Sequence, residues 1–297
     1  MGLWEPLSPH GASHQGAENS NPKKELDGRR TELPEEHSTK WRTRITIGFA
    51  LVLVGCCAAW GESGMATIPE GREAFSGKRR FSYGVQKFGL RILEAIVTLE
   101  EARSDAGEKV YLVQAQVDTT GVTSWFFRMH NRFYSWVDRR HLGSLRYVKE
   151  IHQRGIFSGE KRYRSVLTFS RGDNLIVVDG TREVAVPPNT QDPLSFFVKY
   201  YLGEEIKPAQ ELRMTIYDGV KLRKVCFNAR GESIETQWGG AVDVICLEST
   251  VPFSSLGGRE GIIRIWFTRD GRRVPVRIGL DLPVGTVQFE LESLEEG

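Results

Sequence analysis

The chain has 297 residues, of which 40% are hydrophobic and 26% are charged, and its formal net charge is +2. Net charge alone therefore implies no polyanionic partner. About 220 residues remain once a polar tail and an apolar segment near the N-terminus are set aside, which is enough to bury one sizeable core and suits a single large β domain.

Residues 1–41 form a polar segment rich in Gly, Pro, Ser, Asn and charged residues. Such a segment has too few apolar side chains to build a core, so the composition predicts a disordered tail. The tail either precedes an uncleaved anchor on the cytoplasmic side or lies upstream of the true start of the protein.

Residues 42–60 contain the most apolar stretch of the chain, the uncharged run Ile45–Trp60. A membrane-spanning helix needs about 20 apolar residues, whereas the apolar part of an export signal needs about 7–15. The basic residues Lys40, Arg42 and Arg44 precede the run, and small residues end it. The segment is predicted to be an export signal or a membrane anchor with the rest of the chain exported, and a buried core helix is the third interpretation.

The quartet Leu53-Val54-Gly55-Cys56 resembles the lipobox at the end of bacterial lipoprotein signals. The resemblance implies cleavage before Cys56 and a lipid on that cysteine. A lipoprotein signal normally begins near the initiator, whereas Met1 lies 55 residues upstream of Cys56. An uncleaved anchor and an ordinary cleaved signal therefore stay open as alternatives.

Residues 61–76 are predicted to be a linker, and short β-rich runs separated by Gly-centred turns follow in residues 77–297. Asp-Gly between apolar alternations favours a tight hairpin. Strands at this spacing indicate an antiparallel all-β domain rather than a doubly wound nucleotide-binding sheet. The predicted strands are 109–117, 163–170, 175–178, 212–217, 222–227, 242–248, 262–268, 274–280 and 286–291, and the predicted turns contain Gly172, Gly180, Gly219, Gly231, Gly240, Gly258 and Gly271.

The segment QDPLSFFVKYYLGEE interrupts the β pattern and predicts one amphipathic helix packed on the sheet. Asp192 is the expected N-cap, Pro193 the first helical residue and Gly203 the end. Helical spacing favours a core-facing role for the apolar side chains. They are Leu194, Phe197, Val198, Tyr201 and Leu202.

Cys226 and Cys246 are the two cysteines of the β domain, and each lies in an apolar strand-like run. In an exported domain such a pair forms either a disulfide or two buried free thiols. A bridge between them would close a loop of about 20 residues.

The C-terminal half resembles bacterial domain-of-unknown-function family 3108. The resemblance is carried by QDPLSFFVKYYL, YDGVKLRKVCFNARGESIETQWGGAVDVICLES and GIIRIWFTRDGRRVPVRIGLDLPVGTVQFEL, and FSYGVQKFGLRILEAIVTLE is similar to the family's opening strand pair. In that pair Arg91–Glu94 departs from the family pattern. The resemblance covers roughly residues 77–292. It implies an exported envelope protein whose curved antiparallel sheet, an open or half barrel built as a meander of hairpins, holds a helix.

The motifs of familiar catalytic and metal sites are absent from the sequence, including Gly-x-Ser-x-Gly, the Walker loop, His-Glu-x-x-His and Cys-x-x-Cys. His130, His141 and His152 stand eleven residues apart, which fits no metal spacing on a single element. Asp138 and His141 could act as an acid/base pair after folding, although VDRRHLGS is also typical of a surface loop. No metal or cofactor is predicted.

The family-like hairpin contains a double arginine, Arg272 and Arg273, after the turn Asp270-Gly271. Pro275 follows it and removes a ladder donor, so an edge strand or a bulge is expected there. The arginines either solvate a strand end or bind an anionic ligand.

Residues 125–164 combine ten basic and nine aromatic residues with three acidic ones. In a cytoplasmic protein this mixture would suggest nucleic acid, but an exported domain meets lipid headgroups, lipopolysaccharide phosphates and acidic glycans instead. Arginine suits phosphate because its planar fork bonds bidentately. Simple alternation, with aromatics inward and arginines outward, is the other interpretation. The candidate ligand-binding residues are Trp125, Arg128, Arg132, Trp136, Arg139, Arg140, Arg272 and Arg273.

These observations predict a non-enzymatic envelope protein. It would be tethered to a membrane through residues 45–60, and its periplasmic β domain would bind a lipid or another anionic amphiphile. An envelope hydrolase acting on glycan or lipid and a protein–protein scaffold are the alternatives. No nucleic-acid partner is expected.

Overall fold

The computed structural model describes residues 75–87, 90–121, 123–156, 159–170, 172–203, 205–237, 240–253, 259–283 and 285–297. The predicted tail at 1–41, the export signal or anchor at 42–60 with Cys56, and most of the linker at 61–76 lie outside the described residues. Within the described ranges, neither helix combines the length and the hydropathy that a membrane crossing requires.

The described part of the chain consists of fourteen β-strands and two helices. The helices are α1 (Thr123–Phe126), a single turn that the sequence did not predict, and α2 (Ser195–Leu202). The strands are β1 (Lys78–Lys87), β2 (Leu90–Arg103), β3 (Lys109–Thr119), β4 (Phe127–Asp138), β5 (Ser144–Gly155), β6 (Gly159–Ser170), β7 (Leu175–Val178), β8 (Arg182–Ala185), β9 (Glu211–Tyr217), β10 (Leu222–Thr236), β11 (Gly240–Phe253), β12 (Arg259–Thr268), β13 (Pro275–Leu282) and β14 (Gly285–Glu296).

All the described strands lie in one antiparallel sheet. Consecutive strands pair as hairpins from β1 to β8 and from β9 to β14, and β1 also pairs with β14, for example through Gly84 and Glu290. The first and last strands therefore lie in the middle of the sheet, and β8 and β9 form its edges. The sheet is not closed into a barrel, which confirms the predicted open antiparallel meander.

The sheet curves around α2. The ring of Phe81 on β1 lies 5.6 Å from that of Phe197, and the ring of Phe227 on β10 lies 5.0 Å from that of Phe196. Four strands separate β1 from β10 in the sheet, yet both contact this two-turn helix. The inner face of the sheet is the one that meets α2, and the outer face is the opposite one.

Side-chain alternation explains why these residues form strands. On β4, Met129, Asn131, Phe133, Ser135 and Val137 are buried on the inner face, and the residues between them lie on the outer face. The inner side chains of the other strands join them and α2 in one hydrophobic core. Residues 75–297 thus contain all the described strands, both described helices and the core that they share.

The turn predictions had mixed outcomes. Asp179 and Gly180 have φ of 52° and 74°, which confirms the expected hairpin turn with two positive φ angles. The turn predicted at Gly231 is wrong, because this glycine lies inside the β10–β11 ladder. Pro275 lies beside a register irregularity of the β12–β13 pair, which confirms the predicted bulge.

The predicted helix is confirmed, but its start and its buried surface differ. It begins at Ser195 rather than at Pro193, and the Asp192 carboxylate accepts hydrogen bonds from the backbone N–H groups of Leu194 (2.7 Å) and Ser195 (2.9 Å). Asp192 thus caps the helix from two residues before the N-cap position, which Leu194 occupies. The predicted apolar face is too narrow, since Phe196 is also fully buried.

Cys226 and Cys246 are free thiols in the structure, which agrees with the second of the two interpretations that the sequence leaves open. Cys246 lies opposite Arg230 in the β10–β11 ladder. Cys226 precedes Arg230 by four residues, about 13 Å along a strand, whereas a disulfide needs Cα atoms within about 7 Å. Burial raises the pKa of the Cys246 thiol to about 12.

Candidate functional site

The turns of the sheet lie at two ends. We call the end where β1 begins at Lys78 the entry end, and it also holds the β2–β3, β4–β5, β6–β7 and β12–β13 turns. The far end holds the β1–β2 and β5–β6 turns and the β3–β4 connection through α1. The predicted ligand-binding residues divide between these ends and do not form one site.

The far end of β4, β5 and β6 carries exposed apolar side chains. Trp125 and Phe126 of α1 are 74% and 58% exposed, and Ile156 of the β5–β6 turn is 63% exposed. The backbone N–H of Ile156 donates to the carbonyl oxygen of Phe126 at 3.1 Å, which joins the two turns. They therefore present one apolar surface to solvent.

Three arginines border this apolar surface on the outer face. Arg128 lies directly opposite Arg154, and Arg162 lies opposite His152. None of the three arginines forms an ion pair with a carboxylate of the described residues. Glu160 lies opposite Arg154 in the strand register. Its Oε1 lies 3.4 Å from Nε2 of His152 instead. We name this cluster the Trp125 tip; it consists of Trp125, Phe126, Arg128, Arg154, Ile156 and Arg162.

Two other predicted residues share the outer face of β4 but have partners within the domain. Arg132 lies 2.8 Å from Asp118, which is also 2.9 Å from Nδ1 of His130. The guanidinium of Arg146 lies over the ring of Trp136 at 5.2 Å. Arg132 and Trp136 are thus engaged in contacts that stabilise the β3–β5 surface, and they lie further from the far end than the Trp125 tip.

Arg139 and Arg140 lie in the β4–β5 turn at the entry end, away from the Trp125 tip. The guanidinium of Arg139 forms an ion pair with Glu101 at 2.8 Å and covers the ring of Tyr111 at 5.3 Å. Arg140 is exposed and forms no ion pair with a described residue. The structure therefore gives the two adjacent arginines different surroundings.

Arg272 and Arg273 also lie at the entry end, in the β12–β13 turn. Arg272 is exposed and its Nε lies 3.0 Å from the Asp270 carboxylate. Arg273 is buried, and its Nη2 donates a hydrogen bond to the carbonyl oxygen of Gly203 at the end of α2. A cavity of about 450 Å³ adjoins this contact between residues 203–208 and the turn. Arg273 is thus a structural residue that secures the helix.

A second cavity at the entry end, of about 330 Å³, is lined by Asp138 and His141. Asp138 Oδ2 accepts hydrogen bonds from the backbone N–H of His141 at 3.1 Å and from its Nδ1 at 2.9 Å. Ser144 and Lys199 also line this cavity. Asp138 and His141 are thus hydrogen-bonded beside a cavity, and His141 lies exposed in the β4–β5 turn, as the surface-loop interpretation expects.

A buried polar cluster links the start of α2 to β4 and β5. Ser135 donates to the Asp192 carboxylate at 2.7 Å, and the hydroxyls of Ser144 and Ser195 lie 2.7 Å apart. Burial raises the pKa of Asp192, because the charged form loses its hydration, while these hydrogen bonds oppose the shift. The cluster holds the helix in place, and Asp192 is fully enclosed. The described residues contain no group of three or more His, Cys, Asp or Glu side chains suited to a metal ion.

Sequence reasoning missed the importance of Arg154, Ile156 and Arg162. Their roles depend on the pairing of β4 with β5 and of β5 with β6, which places Arg154 beside Arg128. The alternation interpretation is correct for Phe133, whose ring is buried on the inner face, but Trp136 lies on the outer face. The signal available for Ile156 was its position between the two runs that form β5 and β6, where the sequence changes to a turn.

The chain is similar to a crystal structure of a β-barrel-like protein of domain of unknown function DUF1849 from Brucella abortus, with 10% sequence identity and a TM-score of 0.48, covering 74% of this chain and 98% of that one. No curated protein matches the chain. The family model described as "Protein of unknown function (DUF3108)" matches residues 80–292, well over half of the chain. The chain belongs to the DUF3108 family.

Proposed function

We propose that the protein is a non-enzymatic envelope protein whose β domain binds an anionic lipid or a similar anionic amphiphile through the Trp125 tip. Residues 45–60 tether it to a membrane, with the domain in the periplasm. One observation carries the proposal: exposed Trp125, Phe126 and Ile156 adjoin three arginines that have no carboxylate partner among the described residues.

An anionic amphiphile matches both components of this surface. Large apolar side chains exposed together are unfavourable in water, and they commonly mark an interaction site. Trp is favoured where one side of a surface is apolar and the other is polar. Arginine binds phosphate bidentately, and each arginine near an anionic lipid surface contributes about 1 kcal/mol. The acyl part of the ligand would therefore meet Trp125, and its headgroup would meet the arginines.

The test is binding of the domain 75–297 to vesicles of phosphatidylglycerol and phosphatidylcholine by co-sedimentation. Replacing Arg128, Arg154 and Arg162 together by Gln removes three contacts of about 1 kcal/mol each, so we expect affinity to fall roughly a hundredfold at low ionic strength. The loss should shrink at high salt, because screening already weakens the wild-type contacts.

The matched control replaces three exposed arginines of the entry end by Gln, namely Arg103, Arg140 and Arg272. Both triple variants change the net charge equally, so a general charge effect would weaken them alike. The proposal requires the control to bind like wild type. It fails if the wild-type domain shows no preference for phosphatidylglycerol, or if both variants lose the same affinity.

The cavity beside Asp138 and His141 favours a second function, an envelope hydrolase acting on glycan or lipid. The pair has the geometry of a general base held by a carboxylate. In this function the base would activate a water molecule, and the hydroxyl groups of Ser144 and Ser170 are hydrogen-bonded to Ser195 and Asp173. Loss of a measured hydrolysis in His141→Gln, with vesicle binding unchanged, would favour this function.

A further inference from the structure

The cavity between residues 203–208 and the β12–β13 turn combines an apolar floor with charged side chains. Its volume is about 450 Å³, and buried Ile206, Ile245 and Phe267 form the floor. Exposed Lys207 and Arg269 also belong to its lining, and we call it the Lys207 cavity. A mostly apolar pocket with a few polar groups is the usual form of a small-molecule site.

The two exposed cations of the lining are available to a ligand. Neither Lys207 nor Arg269 forms an ion pair with a carboxylate of the described residues. Two carboxylates share the lining: Glu205 is exposed, and Asp270 forms an ion pair within its own turn. Because Arg273 adds a third cation, the lining carries an excess of one positive charge. This balance favours a singly charged anion.

Hydrogen bonds fix the segment that carries Lys207. The backbone N–H of Lys207 donates to Oε1 of Gln210 at 3.0 Å. The N–H of Ala209 donates to the carbonyl oxygen of Ala229 on β10 at 2.8 Å, and the N–H of Ala229 donates to that of Gln210 at 2.9 Å. This wall of the cavity is therefore already ordered, which lowers the entropic cost of binding.

The turn that carries Arg269 is fixed as well, and its side chain reaches β10. The backbone N–H of Arg269 donates to the carbonyl oxygen of Asp243 at 3.0 Å. A Cβ at Gly231 would lie 3.9 Å from Nη1 of Arg269 and 3.6 Å from Cγ of Pro208. The glycine thus leaves space between this guanidinium and the segment that carries Lys207.

We propose that the Lys207 cavity binds a small organic monoanion, namely a carboxylate with a short alkyl chain. The carboxylate head meets Lys207 and Arg269, whose guanidinium can bond both of its oxygens. The alkyl chain lies on the apolar floor and leaves water. The cavity lies at the entry end, away from the Trp125 tip, so the inference does not rest on the proposed function.

The experiment titrates the full chain, reconstituted in phosphatidylcholine nanodiscs, with octanoate by calorimetry, and empty nanodiscs are the blank. Wild type should bind octanoate more tightly than octanol, which lacks the charge, and than acetate, which lacks the chain. Replacing Lys207 and Arg269 together by Gln should lower octanoate affinity roughly tenfold or more, because two charge-assisted contacts are lost. Both side chains are exposed, so thermal unfolding should show that the fold is retained.

Two control variants locate the site. Lys109→Gln combined with Arg140→Gln makes the same change of charge on exposed residues of the entry end that do not line the cavity. The triple Gln variant of Arg128, Arg154 and Arg162 changes the Trp125 tip alone. Both controls should bind octanoate like wild type.

The outcomes separate this inference from the proposed function. No binding of octanoate by wild type, or equal affinity for octanol or acetate, overturns the inference. An equal loss in the Lys109 and Arg140 control also overturns it, since the effect would then be one of general charge. A loss only in the triple Gln variant assigns the anion to the Trp125 tip, which overturns the inference and supports the proposed function. Octanoate binding that requires Lys207 and Arg269, without any vesicle preference, supports the inference and overturns the proposed function alone.

Discussion

Arg273, in the β12–β13 turn, donates a hydrogen bond to the carbonyl oxygen of Gly203, 70 residues earlier in the chain. Gly203 ends α2, so the guanidinium satisfies a carbonyl at the negative end of the helix dipole. A side chain at Gly203 would place its Cβ 2.1 Å from the carbonyl oxygen of Lys199, which explains the glycine. This contact closes the entry end of the curved sheet over its helix.

The Arg273 contact predicts a large and specific loss of stability. Arg273→Ala removes a buried, charge-assisted hydrogen bond and leaves the Gly203 carbonyl without this donor, so the free energy of unfolding should fall by about 2–3 kcal/mol. Arg272→Ala is the matched control. The Arg272 side chain is exposed, so its removal should change the free energy of unfolding by no more than about 0.5 kcal/mol. Urea unfolding of both variants checks the prediction, and equal effects would contradict it.

Asp192 predicts a pH dependence of stability. Because burial raises its pKa in the folded state, the folded protein binds more protons than the unfolded chain between about 3.8 and the raised value. The contribution of Asp192 to stability therefore decreases as pH rises through that interval. Asp192→Asn cannot ionise, so the stability of this variant relative to wild type should increase with pH, as measured by urea unfolding at pH 4 and pH 8.

Asp105→Asn is the control for that series. The Asp105 carboxylate is 93% exposed and pairs only with Arg146 at the surface. Its stability relative to wild type should therefore change little between the same two pH values. The account is contradicted if the stability of Asp105→Asn relative to wild type rises with pH, or if that of Asp192→Asn stays constant. Either result would show that Asp192 is not the source of the pH dependence.

The two cysteines predict different thiol reactivities. The thiolate is the reactive form, so the raised pKa of Cys246 and its complete burial should protect it in the folded domain. Cys226 is only partly buried and should react first with a thiol reagent at pH 8. Mass spectrometry of the labelled protein under native and denaturing conditions checks this order. An intact mass lower by two hydrogen atoms without reductant would instead indicate a disulfide.

The lipobox-like quartet predicts a modification at Cys56. If the cysteine is lipidated, a fatty-acid analogue should label the protein in a bacterial host and Cys56→Ser should abolish the labelling. The precursor should then stay uncut, because cleavage follows lipid attachment. Cys57→Ser is a matched control at the neighbouring position. Labelling that persists in Cys56→Ser would favour an uncleaved anchor or an ordinary signal.

Much of the fold was predictable from local patterns, and the errors have local causes. Asp179-Gly180 demands positive φ at both residues, so the hairpin was predicted correctly. Gly231 follows Arg230 rather than an aspartate, and its backbone pairs with Ile245 inside the ladder, so a glycine alone does not mark a turn. The pairing of β1 with β14 joins residues over 200 positions apart, and no local pattern reports it.

The candidate site was less predictable, because it depends on which charges the fold brings together. Arg128 and Arg132 stand four residues apart on β4 with similar surroundings in the sequence. The pairing of β3 with β4 gives Arg132 the carboxylate of Asp118, whereas Arg128 faces Arg154. Sequence alone indicated an unusual basic and aromatic stretch, and strand register decides which of its arginines stay available to a ligand.

The most direct test of the Trp125 tip is fluorescence quenching by brominated phosphatidylglycerol in vesicles. Wild-type domain 75–297 should be quenched on binding, because Trp125 enters the lipid. Trp238, the fourth tryptophan of this segment, is replaced by Phe in both proteins compared. Trp125→Phe keeps an apolar ring and should retain most of the affinity, yet that quenching should disappear, since Trp136 and Trp266 lie on the outer face of the sheet away from the tip. Quenching that is equal in the variant, or absent from the wild-type domain, would contradict the account.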